Sequence, residues 1–306
     1  MLPLEEARYL VVAGPTAVGK TAVALEVADE LDGEIVIADS RQVYRGLEIG
    51  TAKPTADERS RVPHHMLDVV DLGQRYTAAD FAAQAGEAID AIRSRGRVPV
   101  VCGGTGLYLA ALAGSLDPVE EGAGEPEREE ARARVAAIPA TERHAALARV
   151  DEPSATRLHA ADRQRVDRAL EVWFMTGEPL SRLQSGGGAA RPHLAIRLDR
   201  PRVELAARID RRLDAMLDAG LEAEARALWE DGWTPEDPGI DTIGYQEWWP
   251  HFEGALGRDE TIAAIRTATR QYAKRQTTWF RNQGDYVAVP ADEARDRVIE
   301  LWRDRR

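Results

Sequence analysis

Residues Gly14-Pro15-Thr16-Ala17-Val18-Gly19-Lys20-Thr21 fit the spacing G-x-x-x-x-G-K-[ST], and no other stretch constrains this chain as much. The apolar run Tyr9-Leu10-Val11-Val12-Ala13 before it predicts a buried strand, and residues 21–31 after it predict a helix closed by Gly33. Glycine lets the backbone curl so that successive N–H groups point inward, and the helix behind adds the positive end of its dipole. Lys20 brings a charge to terminal phosphate oxygens, and the Thr21 hydroxyl is placed to ligate Mg²⁺. A chance Gly-rich turn before Lys-Thr is the alternative, and the strand–loop–helix context argues against it. The stretch predicts a polyphosphate site without saying which polyphosphate.

A chain of 306 residues has room for one large α/β domain with an insertion, or for two domains. The single cysteine, Cys102, excludes an internal disulfide and a Cys-rich zinc site, and a cytoplasmic location is expected. The opening Met1–Glu6 is acidic, the apolar run after it is too short for a signal sequence, and no stretch approaches a membrane span. A net charge of −12 argues against a large non-specific nucleic-acid surface but leaves room for a local basic groove.

The second strand, Glu34 to Ala38, ends in Asp39-Ser40. Carboxyl ends of strands line the crevice of an open α/β sheet, so Asp39 is expected to face the phosphate loop. The loop Arg41 to Pro54 is rich in gripping side chains (Gln42, Tyr44, Arg45, Lys53) and reads either as substrate-contacting or as a solvated connection. Thr77 and Asp80 form a capping box for a helix with Phe81, Ala85, Ile89 and Ile92 on one face, ending at Gly96. The strand Val98 to Cys102 then enters a second Gly-rich turn, Gly103-Gly104-Thr105-Gly106, which brings N–H groups and the Thr105 hydroxyl to the crevice. Cys102 reads as core, with no nearby histidine to activate it.

From residue 115 to 192 the pattern changes. A Gly/Pro/Glu-rich stretch from Asp117 to Pro126 leads into helices of Ala, Glu and Arg, one of them Arg163 to Thr176 with Gly177 at its end. Ser185 to Ala190 reads as a flexible linker. The expected organisation is a core of residues 1–114 and 193–306 interrupted by an all-helical insertion. A strand returns at His193 to Leu198. Pro201 opens a helix to Gly220, and a further helix runs from Leu221 to Glu230. Arg208 and Arg212 lie one turn apart on the first of these, either solvated or facing phosphate. A last helix, 259–280, carries Arg266, Arg270, Lys274, Arg275 and, just beyond, Arg281, with no acidic residue from Thr261 to Gln283. With Gln276 and Trp279 this block has the ingredients of an RNA-facing surface, or else is a solvated basic face with its rings in the core.

Together these strings resemble bacterial tRNA dimethylallyltransferases. The resemblance rests on the phosphate loop, on Asp39-Ser40-x-Gln42-Val43-Tyr44-Arg45-Gly46 with Ile49 to Pro54, and on Gly103 to Tyr108. Arg168 to Val172, Gly244-Tyr245-Gln246-Glu247 and Thr269 to Trp279 extend it over nearly the whole chain. It implies an α/β fold, a P-loop NTPase-like parallel sheet flanked by helices, with the helical insertion contacting tRNA. The implied reaction moves the prenyl group of dimethylallyl diphosphate to N6 of the adenosine 3′-adjacent to the anticodon, with Mg²⁺ and without ATP hydrolysis. Carried over position by position, Asp39 is the general base, Thr105 and Arg212 hold the leaving group, and Gly14 to Thr21 bind the diphosphate. The tRNA contacts fall on Ser40, Arg41, Gln42, Val43 and Gly106. Further along they fall on Arg163, Gln164, Arg165, Val166 and Asp167, on Asp241, Gly244, Tyr245 and Gln246, and on Lys274, Arg275, Gln276, Trp279 and Arg281. The partners expected are the anticodon stem-loop and the prenyl donor, with no membrane, and the chain is expected to be a monomer. Three positions depart from the family pattern. Arg41 stands where Met or another small or apolar residue is usual, Ala160-Ala161-Asp162 replaces Pro-Asn-Asp, and Tyr286 to Val289 lacks a frequent Trp. A P-loop small-molecule kinase, an isopentenyltransferase of free adenine nucleotides and a non-catalytic RNA-binding switch are the competing readings.

Overall fold

Among the described residues the chain folds around six parallel strands: β1 (Tyr9–Ala13), β2 (Gly33–Ala38), β3 (His64–His65), β4 (Val98–Gly103), β5 (His193–Asp199) and β6 (Val287–Pro290). They are ordered β3-β2-β4-β1-β5-β6, with Leu10 of β1 opposite Val100 on one side and Leu194 on the other. This computed structural model describes residues 8–114, 125–183, 191–283 and 285–304. Met1–Glu6, most of the Asp117–Pro126 stretch and the Ser185–Ala190 linker lie outside them.

Alternation along the strands sends residues to two cores. Tyr9, Val11, Val36 and Val101 pack on one face against Phe81, Ala85, Ile89 and Ile92 of α3 (Ala78–Ser94), whose Thr77–Asp80 capping box is formed. Leu10, Val12, Ile35, Val100 and Ile196 face the other way. There they meet Val23, Ala24 and Val27 of α1 (Lys20–Glu30) and Val298 and Trp302 of α14 (Ala294–Arg303). A parallel sheet covered on both faces, with the phosphate loop between β1 and α1, is the P-loop NTPase-like architecture.

The expected closure of α1 by Gly33 is corrected. Asp32 takes the left-handed turn, with φ of 50°, and Gly33 is the first residue of β2. A Cβ at Gly33 would stand 2.6 Å from the Val98 carbonyl oxygen, so close strand approach is what requires glycine there.

The chain divides into two compact units, Met1–Leu112 with Arg191–Arg306, and Ala113–Ala190. The first also holds α2 (Ala56–Arg61), α4 (Gly106–Leu112), α10 (Arg202–Asp218), α11 (Leu221–Glu230), α12 (Trp249–Phe252) and α13 (Arg258–Asn282). The regular elements among the second's described residues are all helices: α5 (Glu125–Ala136), α6 (Arg143–Val150), α7 (Glu152–Arg157), α8 (Arg163–Thr176) and α9 (Leu180–Leu183). Its core gathers Val135, Leu147, Val166, Ala169 and Leu170. Asp162 caps α8 by accepting the Arg165 N–H at 3.4 Å, so the altered Ala160-Ala161-Asp162 string still supplies a cap. No described helix is long and apolar enough to cross a membrane.

Candidate active site

The site lies where β1, β2 and β4 deliver their carboxyl ends. Gly19 caps α1 with φ of 114°, a conformation that turns the loop into the helix and that a side chain would strain. Lys20 Nζ donates to the Pro15 carbonyl at 2.9 Å, folding its ammonium back over the loop. Burial pushes this lysine down to about 8; the neighbouring Arg212 adds to the shift, while Cys102 and Asp39 oppose it. Arg208 Nε donates to the Ala17 carbonyl at 2.8 Å, and Arg212 Nη1 reaches Thr16 Oγ1 at 3.5 Å. Both arginines of α10 thus face the phosphate loop. Desolvation lowers Arg212, with the Asp39 charge as counterweight.

Asp39 follows β2, and its Oδ1 accepts the Arg41 N–H at 2.9 Å and the Gln42 N–H at 3.4 Å, an Asx-type turn that holds the carboxylate in place. It shares a cavity of about 620 Å³ with Thr16, Lys20, Thr21 and Arg212. Leu213, Met216 and Ile265 form an apolar patch in the same cavity, while Arg41, Asp241, Gln246, Tyr272 and Arg275 add polar lining. Burial first, then the Asp39 charge, pushes the Tyr272 phenol up to about 12. Cys102 also lines the cavity, and burial raises its thiol to about 11, which leaves it inert. A second hollow of about 430 Å³, lined by Gly19, Lys20, Thr21, Arg208, Arg211 and Arg212, adjoins the same loop.

Thr105, expected to help hold the leaving group, stands in the second Gly-rich turn just after β4. Its hydroxyl accepts the Ser40 N–H at 3.0 Å and donates to Ser40 Oγ at 3.4 Å, bracing the end of β2. Gln276 is likewise drawn inward. Its Oε1 accepts the Thr16 N–H at 2.8 Å and its Nε2 donates to the Gly104 carbonyl at 2.8 Å, so one buried amide ties the two Gly-rich turns together. Next to it, the Trp279 ring lies on Gly106, where a Cβ would approach it to 2.4 Å.

Several positions expected to touch tRNA have buried or occupied side chains. Val43 and Tyr245 are core residues of the first unit and Val166 of the second, because each sits on the apolar face of its element. The Gln42 amide is buried and donates to the Thr51 and Ala52 carbonyls at 3.0 and 3.3 Å. Lys53 is equally occupied, buried between the Tyr44 carbonyl, Glu48 and Asp68. The Arg41 guanidinium donates to the Pro238 carbonyl at 3.0 Å and stands 3.8 Å from Asp241. In the basic block, Arg266 pairs with Asp210 and Asp214, and Arg270 with Asp210. Lys274, Arg275 and Arg281 are exposed and make no ion pair among the described residues; Arg275 lies over the Tyr272 ring. Gln246 and Asp241 line the cavity with Gly244. In the second unit Arg163, Gln164 and Arg165 are exposed in the first turn of α8, and Asp167 is paired with Arg143 at 2.6 Å.

Sequence reasoning missed two features. The bridging role of Gln276 has no local signal, since its partners are 260 and 172 residues away. The apolar patch had one: Ile209, Leu213 and Met216 follow Arg208 and Arg212 at helical spacing.

A family model described as IPP transferase matches residues 42–283. The tRNA dimethylallyltransferase of Halorhodospira halophila is 48% identical over 97% of this chain and 97% of its own length. The tRNA dimethylallyltransferase 1 of Trichlorobacter lovleyi is 46% identical, over 94% and 95%. Among solved structures, the full-length tRNA isopentenylpyrophosphate transferase of Bacillus halodurans superposes with a TM-score of 0.72 at 34% identity, covering 98% of this chain and 97% of that one. A eukaryotic dimethylallyltransferase acting on tRNA gives a TM-score of 0.80 at 29% identity, with 94% and 74% covered. A phosphate loop that shares its cavity with Asp39, and curated relatives matched over nearly all of their length, lead to one assignment: this chain belongs to the IPP transferase family, among the tRNA dimethylallyltransferases.

Proposed function

We propose that the chain transfers the dimethylallyl group of dimethylallyl diphosphate to N6 of the adenosine 3′-adjacent to the anticodon in tRNA, releasing diphosphate. The observation that carries this reading is the single cavity in which Asp39, the phosphate loop, Arg212 and the patch Leu213, Met216 and Ile265 stand together. The patch suits a short branched hydrocarbon, and the loop beside it suits the diphosphate that the hydrocarbon carries.

The adenine amine is a poor nucleophile because its lone pair is delocalised into the ring. Asp39 takes the N6 proton as the C–N bond forms, a contribution typically worth about 10²–10⁴-fold. As the allylic C–O bond breaks, negative charge appears on the diphosphate, where Lys20, Arg212 and the loop N–H groups are already fixed. Among the described residues no group of three His, Cys, Asp or Glu side chains is placed to hold a metal by itself. Thr21 is exposed in the first turn of α1 at the cavity wall. One hydroxyl completed by phosphate oxygens and water is a donor set that suits Mg²⁺. When bound, the ion would neutralise leaving-group charge.

Exposed Lys274, Arg275 and Arg281, and Arg163, Gln164 and Arg165 of the second unit, supply the groups that contact RNA phosphates in this reading. The target base leaves its stack to reach Asp39. All the chemistry comes from one chain, so a monomer suffices, and a free, buried thiol suits the cytoplasm. The test offers labelled dimethylallyl diphosphate or ATP with unmodified tRNA or AMP. Prenylated tRNA without ATP consumption is expected. ADP formed in step with product would point to a kinase, and prenylated AMP to a nucleotide isopentenyltransferase.

A further inference from the structure

The loop 47–53 is held from two sides by hydrogen bonds, those of one side coming from residues far along the chain. On the inner side the Gln42 amide donates to the Thr51 and Ala52 carbonyls, while the Gln42 N–H donates to Asp39. On the outer side Glu224, in the first turn of α11, accepts the Ile49 N–H with both carboxylate oxygens at 3.0 and 3.1 Å. The Tyr245 hydroxyl accepts the Gly50 N–H at 2.9 Å and itself donates to Glu224. Tyr245 is fully buried, and a Cβ on Gly50 would stand 2.4 Å from its ring, so the backbone is pressed onto the aromatic face. Gly50, Thr51, Ala52 and Lys53 form one part of the cavity wall, and Asp241, Thr242, Ile243 and Gly244, beside Tyr245, form another.

We propose that Glu224 is a positioning residue for the reaction: with Tyr245 it cross-links these two wall loops and, through Gln42, fixes the orientation of Asp39. Glu224, which accepts the Ile49 N–H, the Gly50 N–H at 3.5 Å and the Tyr245 phenol, has no partner of opposite charge among the described residues. Its bonds go to the loop and to Tyr245, and the loop in turn bears on the carboxylate that meets the acceptor. The phosphate loop is outside this chain of bonds. Glu224 thus acts on the acceptor side of the cavity and leaves donor binding untouched. The inference rests on the transferase reading given above.

Two variants test it. E224Q keeps the size of the side chain but turns a donor toward N–H and O–H donors. Y245F keeps the ring on Gly50 and removes only the hydroxyl. Both should lower kcat/KM for an unmodified tRNA transcript about tenfold or more, through KM because the acceptor wall loses its shape when a buried N–H loses its acceptor, and through kcat because Asp39 loses its alignment. The Kd for dimethylallyl diphosphate should stay within about twofold, because the loop at Gly14 to Thr21 is not touched. The double variant should fall little further than E224Q alone, since both groups serve the same bonds. Amide hydrogen exchange, read without any substrate, should show Ile49 and Gly50 losing protection in each variant. Unchanged kcat/KM alongside lost protection overturns the positioning role, and so does donor affinity that weakens in step with the tRNA KM. Should the unaltered protein form no prenylated tRNA, the transferase reading fails by itself. The exchange of Ile49 and Gly50 and the tRNA Kd of the two variants still decide whether the cross-link shapes the acceptor wall.

Discussion

Asp39 and Lys20 line the same cavity and answer to different tests. Asp39→Asn retains an oxygen that can accept the Arg41 N–H now bound at 2.9 Å, so the turn should survive while the proton acceptor is lost. We expect single-turnover transfer to slow by about 100-fold or more with the donor Kd nearly unchanged; near-normal transfer would remove Asp39 from the mechanism. Lys20 carries a pH signature. Burial, with Arg212 adding, brings its ammonium down to about 8 in the free protein, and a bound diphosphate must favour the charged form and raise it again. The sign follows: below pH 8 the lysine is already protonated and donor affinity is flat, whereas above it each binding event must take up a proton. Affinity should therefore fall by up to about tenfold per pH unit above 8. Lys20→Gln should bind the donor more weakly at neutral pH and lose that slope. A wild-type donor Kd that is constant from pH 7 to 9.5 would contradict the assignment.

At the scale of elements, apolar runs were legible because both faces of the central strands are buried. Strands β1, β2, β4 and β5 fall within a residue of their expected bounds. The edge strands were not legible, since β3 is only His64–His65 and β6 is a short half-exposed Val287–Pro290. The basic run on α13 was visible in the sequence, but its meaning was not, because the carboxylates of Asp210 and Asp214 that neutralise Arg266 and Arg270 lie on α10. The distinction has a measurable consequence. Lys274→Ala and Arg281→Ala should each flatten the salt dependence of log K for tRNA by somewhat under one unit, whereas Arg266→Ala should not. Equal slopes for all three variants would mean that the pairing with α10 does not survive in the complex. Trp279 belongs to the other half of the block. It packs edge-on to Phe280, with ring centroids 5.0 Å apart, and covers Gly106, so Trp279→Ala should destabilise the fold by roughly 3 kcal/mol. Loss of tRNA affinity at unchanged thermal stability would instead assign the ring to a base.

Across the whole molecule, the two units differ in how much core holds each together. The sheet unit buries apolar side chains on both faces of the sheet, from Leu10 to Trp302 on one and from Tyr9 to Phe280 on the other. The helical unit relies on a small cluster: Val135, Ala146, Leu147, Ala155, Val166, Ala169 and Leu170. Three of the seven are alanines, which contribute little area each. Below roughly 80 residues a single core seldom supplies more than about 3–5 kcal/mol. Asp151, buried and accepting the Ser154 and Ser181 N–H groups at 3.0 Å each, adds polar order but not apolar burial. Its carboxyl is held low because those hydrogen bonds outweigh the opposing effect of burial, so this contribution is present above the ordinary aspartate range and is lost as pH falls through the depressed value. The helical unit should therefore open by itself, at a lower free energy than the sheet and more readily in acid. Native-state hydrogen exchange gives the measurement. Amides of Val166, Ala169 and Leu170 in α8 should exchange through an opening whose free energy lies below that of Val11 and Val100, with the gap steady from pH 7 to about 4 and widening as pH falls below about 4. Asp151→Asn should narrow that pH dependence and leave the sheet amides alone. If the amides of α8 and β4 share one opening free energy across this pH range, the chain unfolds as a single cooperative block, and the small helical core is stronger than its composition implies.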